Sequence, residues 1–171
     1  MQLDVLAWSF TVAVLVHNAE EAAFLPRWSS RGVVRRYRPV GGPEFRFAVG
    51  VLSVLFLALT IALTSGVAPG RVLRYVFAGY VVAMLANAIV PHLAVTVALR
   101  SYMPGTTTAW LLVVPAGGLY LVSAAQRRQV EWGTLLWVAP VVALALLAAI
   151  ALLLWVGRRL WPSSRHASRA A

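Results

Sequence analysis

One short stretch, His17-Asn18-Ala19-Glu20-Glu21, sets an imidazole and two carboxylates inside the apolar run LDVLAWSFTVAVLVHNAEEAAFLP. In a helix, the residues three and four positions after His17 return to its face, so all three side chains point the same way. Charged groups inside a membrane span are costly and turn toward the bundle interior, which makes them functional candidates. Neutral imidazoles and carboxylates together suit zinc or iron and leave positions open for water or substrate. Without a metal, a desolvated glutamate can exchange protons with a histidine as general acid and base. Adjacent carboxylates repel, which favours a cation between them or one retained proton. The plain alternative is a buried polar cluster that only locks helices together.

A second histidine belongs to the same argument. In Asn87-Ala-Ile-Val-Pro91-His92, the proline has no amide to donate, so the carbonyl of Asn87 loses its helical partner. The resulting kink opens space beside His92, although an ordinary proline kink accounts for the same residues. Further on, Tyr102-Met103-Pro104-Gly105-Thr106-Thr107-Thr108 combines a Pro-Gly turn with threonines at a helix start, where one is expected as an N-cap. Its functional reading gives Tyr102 or Thr107 a contact to a substrate head group or to a ligating histidine. The candidate metal ligands are therefore His17, Glu20, Glu21 and His92, with Glu20 or Glu21 left over as general base. Asn87, Tyr102 and Thr107 are the candidate supporting residues.

These residues need a bundle to hold them. The 171 residues are 61% apolar, against roughly 45–50% in soluble domains, and the mean hydropathy is +0.80. The pattern predicts an all-α bundle forming a single domain, with five spans at about residues 3–25, 46–65, 72–99, 105–124 and 133–157 and a basic tail at 158–171. The absence of cysteine excludes disulfides and thiolate chemistry. The opening residues do not read as a signal peptide, because Asp4 stands where a basic region belongs.

The formal net charge of +10 comes from fifteen arginines with no lysine. They cluster at span ends, where topology explains them without nucleic acid. With five crossings, eleven arginines fall on the side of the first loop, third loop and C-terminus, and four on the other. The positive-inside rule then puts the N-terminus outside and the C-terminus in the cytoplasm of a cell-membrane protein. His17 and His92 both come to lie roughly 12–14 Å below the cytoplasmic boundary, at 1.5 Å of rise per residue. Two histidines at one depth on antiparallel helices can meet. The tryptophans gather toward span ends, as interfacial anchors.

His17-Asn18-Ala19-Glu20-Glu21, followed by Asn87…His92 and the Tyr-x-Pro-Gly-x-Thr stretch at 102–107, resembles the HXXEE-domain family of small bacterial integral membrane proteins. The resemblance runs from about residue 8 to residue 124. It implies a shared polar site more than an activity, since the family carries no established one. A partial similarity to intramembrane prenyl-protein proteases breaks down at Leu25, where those enzymes place an arginine after their paired glutamates. A weaker analogy is to sterol-isomerase-like proteins, which shuttle a proton between His and Glu.

The leading expectation is a membrane enzyme, a metal-dependent hydrolase or a His/Glu isomerase. It would act on a lipid or other apolar substrate near the cytoplasmic leaflet, with a divalent zinc or iron ion as cofactor. The alternative is a proton- or cation-coupled transporter or binding subunit built on the same cluster. Against that alternative, five spans show no evident inverted repeat. A structural subunit binding anionic lipids is the third class.

Overall fold

The computed structural model describes residues 2–31, 41–66 and 70–161. Regular structure among these residues is entirely helical. Five rods follow one another: α1 (Leu3–Ser29), α2 (Gly42–Thr64), a broken third rod, an interrupted fourth, and α7 (Trp132–Leu160). The third comprises α3 (Gly70–Asn87), a wide π-type segment (Ala88–Leu93) and α4 (Ala94–Leu99). The fourth comprises α5 (Thr106–Thr108), a π-type segment (Ala109–Val113) and α6 (Val114–Gln126). Arg35, Arg36 and Arg38 of the first loop, and residues 162–171 of the basic tail, lie outside the described residues.

Four rods, Gly42–Thr64, Gly70–Leu99, Thr106–Gln126 and Trp132–Leu160, are long and apolar enough to cross a membrane. That marks a membrane protein. The outward surface agrees: Trp137 is 81% exposed and Leu136 73%, which suits side chains meeting lipid rather than water. α1 has the length, at 27 residues, but Asp4, His17, Glu20, Glu21 and Arg27 dilute its apolar content.

The core is an aromatic stack joining α1, α2, α3 and α6. Phe10 meets Phe56 edge-on at 5.9 Å, Phe56 stacks on Phe77 at 5.3 Å, and Phe77 meets Tyr120 at 4.8 Å. Such ring pairs add about 0.5–1.5 kcal/mol beyond the area they bury. Two polar links also tie α1 to α2, between the Thr11 and Thr60 hydroxyls at 2.8 Å and from the Asn18 amide to Ser53 at 2.9 Å. α7 packs across α2 and α3, so closely that a Cβ at Gly79 would sit 2.9 Å from Val142.

The first helix does not stop at about residue 25, where the first span was expected to end; it continues through Pro26 to Ser29. Pro26 has no N–H, so the carbonyl of Ala22 loses its helical donor. The Arg46 Nε on α2 supplies one instead, at 3.1 Å. A side chain from the next helix thus carries α1 through its proline.

Candidate metal and acid–base site

The site forms where α1 faces the break in the third rod. His17 sits four positions before Glu21, so both project from one face of α1. Opposite them the backbone departs from helical geometry at Val90 (φ −128°, ψ 113°), and the Val90–Pro91 peptide is cis. His92 follows directly and is fully buried, as is His17. The break is held from outside: the Trp110 indole donates to the Ala88 carbonyl at 3.2 Å, and Thr106 Oγ1 to the His92 carbonyl at 3.4 Å. Trp110, expected as an interfacial anchor, therefore also clamps the break.

The segment between α4 and α5 closes over the two histidines. Thr96 organises it, accepting the Met103 amide at 3.2 Å and meeting Thr106 Oγ1 at 3.0 Å. The turn places Gly105 at φ +93°, a left-handed conformation that favours glycine. A Cβ there would lie 2.6 Å from His92 Cε1, 2.9 Å from His17 Cε1 and 3.1 Å from Glu21 Cγ. Gly105 is thus the floor against which all three side chains rest. It also precedes the next helix, which has no side-chain cap, so none of the threonines serves as the expected N-cap.

Hydrogen bonding sets the histidine tautomer. His17 Nδ1 lies 3.1 Å from the Gly105 carbonyl and 3.1 Å from Thr108 Oγ1. A carbonyl only accepts, so Nδ1 carries the hydrogen and the neutral ring turns its bare Nε2 inward. The Thr108 hydroxyl donates to Glu20 at 2.6 Å, leaving its oxygen to accept from His17. Glu20 also accepts from the Tyr102 hydroxyl, and that hydroxyl accepts the Thr107 amide at 3.4 Å. The result is a continuous chain: Tyr102, Glu20, Thr108, His17.

On the inner side, His17 Nε2 lies 3.9 Å from Glu21 and His92 Nε2 lies 3.2 Å from the other Glu21 oxygen. Ligand atoms of His17, Glu21 and His92 all fall within 4.8 Å of one another. Neither histidine Nε2 has a hydrogen-bond partner among the described residues. Unpartnered buried nitrogens are costly, and two imidazole nitrogens beside one carboxylate form a donor set that suits a divalent ion. Neighbouring donors on a tetrahedral ion with bonds of about 2.0 Å stand roughly 3.3 Å apart, so donor atoms spread over as much as 4.8 Å would draw together around an ion. These three residues could hold one divalent ion.

The two glutamates therefore do different things. Glu21 joins the histidines, while Glu20 turns to Thr108 and Tyr102. Asn87 lines the cavity beside the cluster. Thr107 is exposed, and the hydroxyl that reaches His17 belongs to Thr108, one residue later. Gly105 and Thr108 are the two residues that sequence reasoning passed over. Pro104-Gly105 does signal a turn with positive φ, but nothing local shows that two histidines rest on it.

A cavity of about 300 Å³ leads away from the cluster between α1, α2, α3 and α7. His17, Asn18, Glu21 and Asn87 form its polar head; its walls are aliphatic and aromatic, with Leu52, Met84 and Leu146 among them. Val90 and Leu147 line it as well and are 67% and 62% exposed. The cavity thus reaches an exposed apolar side of the bundle.

Comparison with known proteins agrees with the motif that anchors this site. A family model described as a protein of unknown function with HXXEE motif matches residues 8–120. The uncharacterized protein YrkK of Bacillus subtilis (strain 168) is 34% identical over 153 residues, covering 90% of this chain and 96% of that protein. No solved structure matches. His17, Glu20 and Glu21 are the named positions of that motif, and the chain belongs to the HXXEE family.

Proposed function

We propose that the protein is a membrane-embedded enzyme that acts on a lipid or similarly apolar substrate. The observation that carries this reading is the cavity: apolar walls that include the exposed Val90 and Leu147, and a polar head at His17 and Glu21. Small-molecule sites are typically apolar clefts with a few convergent polar groups, and here those groups are ones that do chemistry. His17, Glu21 and His92 would hold a divalent ion, zinc or iron. When bound, that ion would act as a Lewis acid on a carbonyl or phosphoryl oxygen. Two neutral imidazoles and one carboxylate leave a divalent ion one net positive charge, which favours a substrate oxygen that becomes anionic.

The chain's own residues take the remaining parts. Thr108 and the Gly105 carbonyl fix the His17 tautomer, as partners of a ligating histidine do. Glu20, bridged to His17 through Thr108, polarises the Nδ1–H donation that leaves Nε2 free for the ion. Asn18 and Asn87 orient the head group, and the aliphatic walls hold its tail. The 3.2 Å approach of Glu21 to His92 also supports a metal-free version in which this pair exchanges a proton with the substrate. We place α1 across the bilayer as a fifth span, with the C-terminus in the cytoplasm and the cluster toward the cytoplasmic leaflet of the cell membrane. The arginine asymmetry supports this orientation.

The test is metal content by plasma mass spectrometry on protein purified without chelators, beside His17→Ala and Glu21→Gln. Near-stoichiometric zinc or iron, lost in both variants, is the expected result. It would be followed by turnover of membrane lipids that Glu21→Gln abolishes. Metal-free wild-type protein would move the reading to proton exchange. Full turnover in Glu21→Gln would remove that carboxylate from the chemistry altogether.

A further inference from the structure

At the opposite end of the bundle lies a second polar pocket that the His/Glu site does not use. Asp4 precedes His17 by thirteen residues of helix, about 20 Å at 1.5 Å per residue. Around it, the start of α1, the end of α2, the start of α3 and the segment after α6 enclose a cavity of about 210 Å³. Asp4, Arg74, Tyr120, Arg127 and Gln129 supply its polar lining.

Tyr120 is the informative residue. It is 0% exposed, yet its hydroxyl has no hydrogen-bond partner among the described residues. Buried hydroxyls are nearly always partnered, and an orphan calls for an explanation. Beside it, Arg74 donates to the Gln129 side-chain oxygen, which fixes that amide and leaves its nitrogen as a donor. The lining thus offers a phenol O–H, an amide N–H₂ and the Arg74 guanidinium, with Asp4 as its one carboxylate. Two arginines and one aspartate leave a single net positive charge.

We propose that this pocket binds one phosphate group, with the Tyr120 hydroxyl, the Gln129 amide and Arg74 as donors. A donor-rich, singly positive pocket matches a phosphate monoanion or phosphodiester, because guanidinium–phosphate bonds are among the stronger polar contacts. The phosphate comes either from a phospholipid head group or from solution.

The experiment uses the full chain in maltoside micelles, which contain no phosphate. Thermal unfolding is followed while inorganic phosphate, or phosphatidylglycerol doped into the micelles, is titrated. Stabilisation by either supports the site. Stabilisation by the lipid alone assigns a head group, and stabilisation by the free ion alone a soluble anion. Tyr120→Phe and Arg74→Gln should each weaken the effect about tenfold or more, as loss of a hydrogen bond to a charged group does. Tyr120→Phe keeps the ring in its core position, so it tests the hydroxyl without threatening the fold. Without phosphate, that variant should be as stable as the wild type or more so, because it removes an unpartnered buried hydroxyl. No response to either ligand, or an equal response from wild type and Tyr120→Phe, overturns the proposal.

Discussion

The rings of His17 and His92 stand edge to face, with centroids 4.9 Å apart and planes at 82°. This arrangement brings the Nε2 atoms of both to the Glu21 carboxylate while keeping the ring faces from stacking. His17 comes from an intact helix and His92 from a broken one. Their meeting depends on the break at Val90 and on a residue between them that has no side chain.

That residue is Gly105, and Gly105→Ala is the sharpest test of the site. The added methyl would press on both imidazoles, the nearer at 2.6 Å, and would force alanine into a left-handed conformation costing about 1–3 kcal/mol. The helices themselves need no change. We expect far-UV circular dichroism to stay at wild-type helix content while zinc or iron affinity falls by about tenfold or more. Unchanged affinity in a folded variant would mean that the ring positions do not matter for metal.

Thr108 and Thr107 make a paired control. The Thr108 hydroxyl links His17 to Glu20, whereas Thr107 contributes its amide, to Tyr102. Thr108→Val keeps the shape and removes the link, so metal affinity should drop about 10–100-fold. Thr107→Val should leave it unchanged. Equal behaviour of the two variants in a metal titration would remove Thr108 from the relay.

The all-α class was legible from hydropathy because four of the five rods present a long apolar run, and runs of that length have few other solutions in a membrane. The shared face of His17, Glu20 and Glu21 follows from helix geometry alone. What spacing could not divide was the labour between the glutamates: one position of difference turns Glu21 to His92 and Glu20 to Thr108, and both partners lie some seventy or more residues away. The role of Thr108 was hidden for the same reason, since Thr96 and the turn after α4 decide which of three consecutive threonines faces inward. The first helix outruns the expected boundary at about residue 25 because the carbonyl that Pro26 orphans is satisfied by Arg46 from another helix.

Tyr102 gives the site a pH signature. Burial, and then donation to the Glu20 carboxylate, holds its phenol above the ordinary tyrosine value of 10.0. A folded value raised above the unfolded one stabilises the fold fully below pH 10.0 and loses that contribution as pH rises through the folded value. An ultraviolet difference titration, wild type minus Tyr102→Phe, should therefore show one phenol ionising above pH 10.0. Glu20→Gln should bring that ionisation part of the way back, because burial, the larger cause, remains. A phenol titrating at 10.0 in the wild type would break the Tyr102–Glu20 link.

Arg46 and Pro26 can be tested as a coupled pair. The Ala22 carbonyl accepts from Arg46 Nε at 3.1 Å because proline offers no amide to it. Arg46→Met preserves much of the apolar stem and removes the donor, so α1 should lose about 0.5–1.5 kcal/mol of stability. In a Pro26→Ala background the amide returns and Arg46 becomes dispensable, so the same substitution should cost close to nothing. Equilibrium unfolding of the four chains yields the coupling directly, as a double-mutant cycle does for residues sharing a partner. Additive losses would show that Arg46 holds α2 against α1 by packing alone, and that the carbonyl freed by Pro26 is satisfied without it.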